Sequence, residues 1–468
     1  MTAKSLTAKS LTVTTLVTSL LAALSGAAIA DTPAPSPAAP LTQQQITWCA
    51  DLRVAVSPAQ RIEACTASIA SGRWSGEGLA WAFNNRSFAY LLVDDLDNAI
   101  ADADAAIRLD PNDAPAFNNR GNAYLQKDDL DHALADYDAA IRHDPTYATA
   151  YNNRGLVYHE RDDEDRAIVD YDAAIKLQPD YAAAFNNRGN AYGAKGDSAR
   201  AIADYSEAIR FAPDDATNFR NRGGAYLTRH DLDRARADFD QAIRLDPDNA
   251  KSFNGRGMAR GLAGDLDGAI GDFSEAVRLA PDAIPPLRNR AVARTNQGDF
   301  AGAVADLTAQ MRLGASDANT FYARAFANLY AGSLDLAVAD AYAASRQNPA
   351  SAYAALWRDA LERRSELPSR LAAATAKIDM TKWPAPLVRL YLGEATPDAV
   401  LAAADDSDAA IKRSHVCEAN FFTGQLLLSR HDSEAAAGQF RQAAVTCGLD
   451  GVFRAAATAE LKALAAPR

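Results

Sequence analysis

Eight arginines recur at a fixed step of 34 residues: Arg86, Arg120, Arg154, Arg188, Arg222, Arg256, Arg290 and Arg324. Sixteen residues after each stands an aspartate: Asp102, Asp136, Asp170, Asp204, Asp238, Asp272, Asp306 and Asp340. A guanidinium and a carboxylate kept in step through eight copies can serve two ends. They can pair, because a charge on the inward face of a helical hairpin is costly unless paired. Alternatively, the arginines can form a row of anion-binding groups. The unbroken company of the aspartates favours pairing. Arg120 with Asp136, Arg154 with Asp170 and Arg188 with Asp204 are therefore expected to tie the two helices of each repeat together.

Just ahead of the arginines the chain repeats a second chemistry. Asn84 and Asn85, Asn118 and Asn119, Asn152 and Asn153, and Asn186 and Asn187 are followed in later copies by Asn221, Asn254 and Asn289. A carboxamide both donates and accepts hydrogen bonds. Stacked along a groove, such groups can pair with the main chain of an extended peptide whatever its side chains. They can equally bond to the neighbouring repeat. Further along, Arg220 and Arg288 replace the first asparagine and Lys251 precedes Asn254. This basic spot suits a carboxylate or an acidic segment; the plainer reading is a few solvated charges.

Catalytic and metal chemistry find little support. His132, His143, His159, His230, His415 and His431 form no H-E-x-x-H or other metal spacing. Acidic turns such as Asp162-Asp163-Glu164-Asp165 lack the glycine and terminal glutamate of a calcium loop; they read as helix caps and first-turn acids. No P-loop, G-x-S-x-G or dinucleotide glycine pattern occurs. The chain is expected to be no enzyme and to need no cofactor and no metal.

The four cysteines fall into two local pairs, Cys49 with Cys65 and Cys417 with Cys447. In an oxidising compartment they suggest two disulfides; a zinc reading is weaker, because no histidine partners either pair. The N-terminus points the same way. Lys4 and Lys9, an apolar run from Leu11 to Leu24 and Ala28-Ile29-Ala30 read as a secretory signal cleaved before Asp31. Residues 31–41 are a Pro/Ala linker. The mature chain is expected to contain no transmembrane segment. A formal charge of −12 opposes nucleic acid and anionic membranes as partners.

These groups must be held by helices. Large residues at Phe83, Phe117, Tyr151, Phe185, Phe219, Phe253, Leu287 and Phe321 open a first helix in each copy. Ala99 and its equivalents mark a second, where a small residue lets helices approach. Pro111, Pro145, Pro179, Pro213, Pro247, Pro281 and Pro349 follow its end, because proline cannot continue the ladder.

A 34-residue period with aromatic, Gly, Tyr, Ala, aromatic and Pro at fixed offsets resembles the tetratricopeptide repeat over residues 80–351. The resemblance implies an all-α, right-handed superhelical solenoid of about eight to nine helix pairs with N- and C-terminal helical caps, helix A lining the concave side. It also implies a protein- or peptide-binding scaffold. One departure stands out: arginine occupies the place ahead of the helix A glycine where the family usually has leucine. The asparagine row resembles the ladder lining tetratricopeptide glycosyltransferases. The basic spot is similar to the carboxylate clamp of chaperone-binding members, but Gly224 and Gly255 stand where that clamp needs side chains. Further on, Leu356-Trp357, Trp383-Pro384, Leu390-Tyr391-Leu392-Gly393-Glu394 and Glu418-Ala419-Asn420-Phe421-Phe422-Thr423-Gly424 are similar to the new lipoprotein I family of bacterial envelope adaptors. Those present substrates to a periplasmic protease and scaffold peptidoglycan hydrolases. The chain lacks that family's lipidated cysteine and has a longer array.

The expected organisation is a signal peptide (1–30), a linker (31–41), an N-terminal helical cap (42–79), eight repeats (80–351), a degenerate helical segment (352–416), and a last hairpin with a capping helix (417–468), Cys417 opening that hairpin. The expected role is a soluble, exported adaptor in a Gram-negative periplasm that holds a protein or extended peptide in its concave groove. An architectural subunit binding through its convex face or ends is the alternative, and an enzyme with its site in 352–416 a lesser one. The period fixes neither the partner nor the oligomeric state.

Overall fold

The computed structural model describes residues 41–52, 54–448 and 452–465. The expected signal peptide lies outside them, as does the expected linker except for its last residue. Among the described residues there are 25 α-helices, one 3-10 turn and no strand. Helices pack in chain order as consecutive pairs, giving a right-handed superhelical solenoid. No helix among these residues is long and apolar enough to cross a membrane.

Repeat two shows how the sequence dictates a pair. Helix A runs Ala114–Gln126 and helix B Leu130–His143. Asp129 caps helix B, its side chain accepting from the His132 N–H, and Asp131 lies in the first turn. Arg142 and His143 close the last turn, so both ends of the macrodipole meet opposite charge. The aspartate cap recurs at Asp95, Asp163, Asp197, Asp231, Asp265 and Asp299. Between the helices one residue takes a left-handed φ in every repeat: Asp94, Asp128, Asp162, Gly196, His230, Gly264, Gly298 and Gly332. The acidic turns thus divide by role: in Asp162-Asp163-Glu164, the first makes the turn and the second is the cap.

Close approach of the helices rests on a matched pair of sites. A Cβ on Gly121, Gly155 or Gly189 would lie 2.8, 2.7 or 2.6 Å from the ring of Tyr137, Tyr171 or Tyr205. Where the glycine is replaced, the facing residue shrinks: Ser87 faces Ala103, Ala291 faces Leu307 and Ala325 faces Ala341. Within the eight repeats an aromatic ring at this site stands only opposite a glycine.

The termini are built differently. The first hairpin is Gln43–Ala50 and Pro58–Ala70, each helix opened by a complete capping box. Cys49 and Cys65 are bonded across it, and Arg61 donates to the carbonyls of Trp48, Asp51 and Val54. Residues 352–416 contribute to the largest apolar core among the described residues, around Trp357, Leu356, Leu371, Leu387, Phe421 and Phe440. The opening of the last hairpin differs from expectation. Its first helix is Ala409–Ser429, so Cys417 lies eight residues in rather than at the opening. Asp408 caps that helix a full two turns early. Cys417 still bonds Cys447, which caps the end of Ser433–Thr446. Val452–Ala465 then packs back on helix A of repeat seven.

Candidate binding face on the helix A side

Every repeat arginine meets its aspartate. Arg154 donates from Nε to Asp170 Oδ2 at 2.8 Å and from Nη2 to Oδ1 at 2.7 Å. Arg120–Asp136 and Arg188–Asp204 have the same two-pronged geometry, as do the five other pairs. The aspartates are buried, Asp170 being 3% exposed. Burial pushes the Asp136 and Asp170 carboxyls up, against the pull of their guanidinium. The bond to its aspartate holds each of Arg120, Arg154 and Arg188 well above the ordinary arginine value. The pairs are ionised, because both carboxylate oxygens and two guanidinium nitrogens are satisfied at once. No free anion site remains on this row.

The third guanidinium nitrogen does something the sequence reading missed. Nη1 reaches back across the repeat boundary: Arg120 to Asp104 at 2.6 Å, Arg154 to Asp138 at 2.6 Å, Arg188 to Asp172 at 2.5 Å and Arg256 to Asp240 at 2.7 Å. In the other four copies the acceptor is a hydroxyl, on Thr66, Ser206, Ser274 or Thr308. The signal was available: an acceptor stands sixteen residues before seven of the eight arginines as well as after them, and Thr66, the partner of Arg86, lies twenty before.

The asparagine row also ties repeats together. Asn119 Nδ2 donates to Asn84 Oδ1 at 2.7 Å, Asn153 to Asn118 at 3.0 Å, Asn187 to Asn152 at 2.9 Å, Asn221 to Asn186 at 3.2 Å and Asn289 to Asn254 at 2.9 Å. Asn85 instead bonds the carbonyl of Cys49 in the cap. So the second asparagine of each pair grips the first asparagine of the repeat before. Asn152 and Asn186 also use their own N–H groups, on Asn153 and Asn218. Asn254 donates only to the sulfur of Met258. Among the described residues, the amide N–H groups of Asn84 and Asn118 donate to no protein acceptor. Asn84 is half-buried and Asn118 is 3% exposed.

Arg220 is half-buried, while Lys251 and Arg288 are exposed. None of the three forms an ion pair among the described residues, in contrast to the arginines beside them. Gly255 packs against Phe239, where a Cβ would meet the ring at 2.3 Å, while Gly224 faces open space. No group of three His, Cys, Asp or Glu among the described residues could hold a metal ion.

Family models bear on the repeat itself. Those described as TPR repeat match residues 121–162 and 160–196; those described as tetratricopeptide repeat match 82–113, 182–215 and 221–284. The chain carries tetratricopeptide repeats. Similar solved structures include YrrB, a TPR protein with an unusual peptide-binding site, at 23% identity over 40% of this chain and 95% of that one, with a TM-score of 0.34. Pseudomonas aeruginosa pilF is 19% identical over 44% of this chain and 94% of its own, TM-score 0.41. PilW, a type IV pilus biogenesis factor, is 20% identical over 42% and 90%, TM-score 0.40. These are likenesses of the tetratricopeptide fold alone. No curated protein matches the chain.

Proposed function

We propose that this protein is an exported tetratricopeptide adaptor that holds a partner protein or an extended peptide on its helix A face. The observation that carries the reading is the contrast on that face: eight arginines are tied into the scaffold, while Arg220, Lys251 and Arg288 are left without ion partners. Asn84 and Asn118 offer donors further up the same row. A repeat array gives an extended ligand a continuous surface, and its ties keep that surface preorganised, which lowers the ordering cost of binding.

Export is supported by the two disulfides, which persist in oxidising compartments, and by the signal-like N-terminus. The resemblance of the C-terminal segments to new lipoprotein I adaptors supports a place in envelope proteolysis or cell-wall maintenance. The reading is of a binding protein without catalytic activity. Fractionation with sequencing of the mature N-terminus tests export, and a start at Asp31 in the periplasmic fraction is expected.

The binding face is tested by photo-crosslinking in the envelope fraction. One crosslinker replaces Lys251 on the helix A face; another replaces Val169, which is 66% exposed on helix B of repeat three. Adducts from position 251 alone are expected. Adducts from position 169 alone would overturn groove binding in favour of an architectural subunit.

A further inference from the structure

A second surface lies away from the asparagine row. The A–B turns of repeats five to seven face the last hairpin and C-terminal helix across a cleft of about 1180 Å³. Its volume exceeds the ~300–1,000 Å³ that small-molecule sites occupy, so it has room for a polypeptide segment. Arg413, Arg454 and Lys462 line one wall and His230 stands opposite. Among the described residues none of those three cations forms an ion pair, and none of those that line the cleft is a carboxylate. In a chain of net charge −12, such a concentration of one sign is a local reversal of the field. Several surface cations elsewhere on the molecule are paired, among them Lys127 with Asp97, Arg161 with Asp131 and Lys195 with Asp165.

Apolar groups complete the cleft. Val445 is 82% exposed and Leu262 46% exposed, and both line it. Cations interleaved with exposed aliphatic side chains fit a segment of opposite pattern. The walls are also fixed in place. The C-terminal helix is held by buried Glu460, which accepts from Arg364 at 2.6 Å, Gln425 at 2.8 Å and Tyr330 at 3.1 Å. Those three donors come from three different helices, and the Cys417–Cys447 bond closes the hairpin beside it.

We propose that this cleft docks an acidic segment of a partner protein that carries large apolar side chains among its carboxylates. Charge complementarity carries it: the cations attract and orient the acids, and Val445 and Leu262 add contact area that a bare anion would not use. The cleft shares no lining residue with the asparagine row or with Arg220, Lys251 and Arg288, so the two surfaces can be tested separately.

Fluorescence anisotropy on the full chain tests it. The probe is a labelled peptide of about 15 residues with Glu and Leu at helical spacing; its partner probe has Lys in place of every Glu. The acidic probe is expected to bind saturably, and less tightly as salt rises. The triple variant Arg413→Glu, Arg454→Glu, Lys462→Glu is expected to weaken binding at least about tenfold. It is also expected to bind the Lys probe, a gain that misfolding would not produce. Val445→Asp is expected to weaken the acidic probe further. Non-saturable binding of the acidic probe, or unchanged binding by the triple variant, would overturn the proposal. So would loss of binding in Arg220→Glu, Arg288→Glu alone, an outcome that would leave the helix A face standing as the binding surface.

Discussion

Replacing Arg154 with alanine removes three bonds and leaves one buried charge. Asp170 loses both of its guanidinium contacts, at 2.7 and 2.8 Å, while its side chain is only 4% exposed. Removing one partner of a buried pair typically costs ~3–5 kcal/mol, because the other charge stays behind uncompensated. The third contact, to Asp138, adds little: that carboxylate is 48% exposed, and such contacts contribute about 0–1 kcal/mol. About 3 kcal/mol is therefore expected for Arg154→Ala, and much less for the paired apolar replacement Arg154→Met with Asp170→Leu. The penalty also has a pH sign. Burial already raises Asp170, and losing the arginine raises it further. An acid whose folded value lies above its unfolded one destabilises only while ionised. The penalty is therefore present above the raised value and shrinks as pH falls through it. Urea unfolding followed by circular dichroism gives the total, and hydrogen exchange in repeats two to four locates it, since long arrays depart from two-state unfolding. A loss under about 0.5 kcal/mol, the scatter of ordinary surface substitutions, would refute the buried-pair argument.

Other consequences are sharper still in sign. Tyr137 and Tyr205 donate to Asn122 and Asn190, but the residue fifteen before Tyr171 is Leu156 and the Tyr171 hydroxyl is buried without a partner. Tyr171→Phe should therefore raise the unfolding midpoint, by about 1 kcal/mol, while Tyr137→Phe should lower it by a similar amount. Gly155→Ala should cost about 1–3 kcal/mol by forcing Tyr171 aside, and Tyr171→Leu in the same chain should recover part of it, measured by urea denaturation. Asp162→Gly should stabilise by about 0.5–1 kcal/mol, because its φ of 58° suits glycine better. Reducing Cys49–Cys65 and Cys417–Cys447, separated by 16 and 30 residues, should each cost roughly 3 kcal/mol, seen as a fall in melting temperature with reductant.

The array was legible because each repeat restates the same local rules. The aspartate cap and the proline after the last turn each recur in seven of eight copies, so one copy explains nearly all the rest. The arginine–aspartate spacing was legible for the same reason. The residue sixteen before the arginine was not recognised because it alternates between carboxylate and hydroxyl; only its role as acceptor is constant. The asparagines were legible as a row but not as a direction: that the second amide reaches the first of the preceding repeat depends on the stagger between neighbouring helices. The C-terminal module was opaque. Glu418 accepts from Tyr353 and Trp383, 65 and 35 residues away, and Glu460 from Arg364, 96 residues away. Without a period, no spacing announces such contacts, and buried acids in the sequence look like surface ones.

The alternation of that backward-reaching acceptor has a mechanical meaning. At the joints between repeats one and two, two and three, three and four, and five and six the arginine grips a carboxylate; at four and five, six and seven, and seven and eight it grips a hydroxyl. Both kinds of joint have an ionised donor, and the carboxylate adds a second charge that salt can screen. The seam between repeats therefore answers unevenly to ionic strength. High salt weakens the carboxylate joints more than the hydroxyl joints and evens the array out.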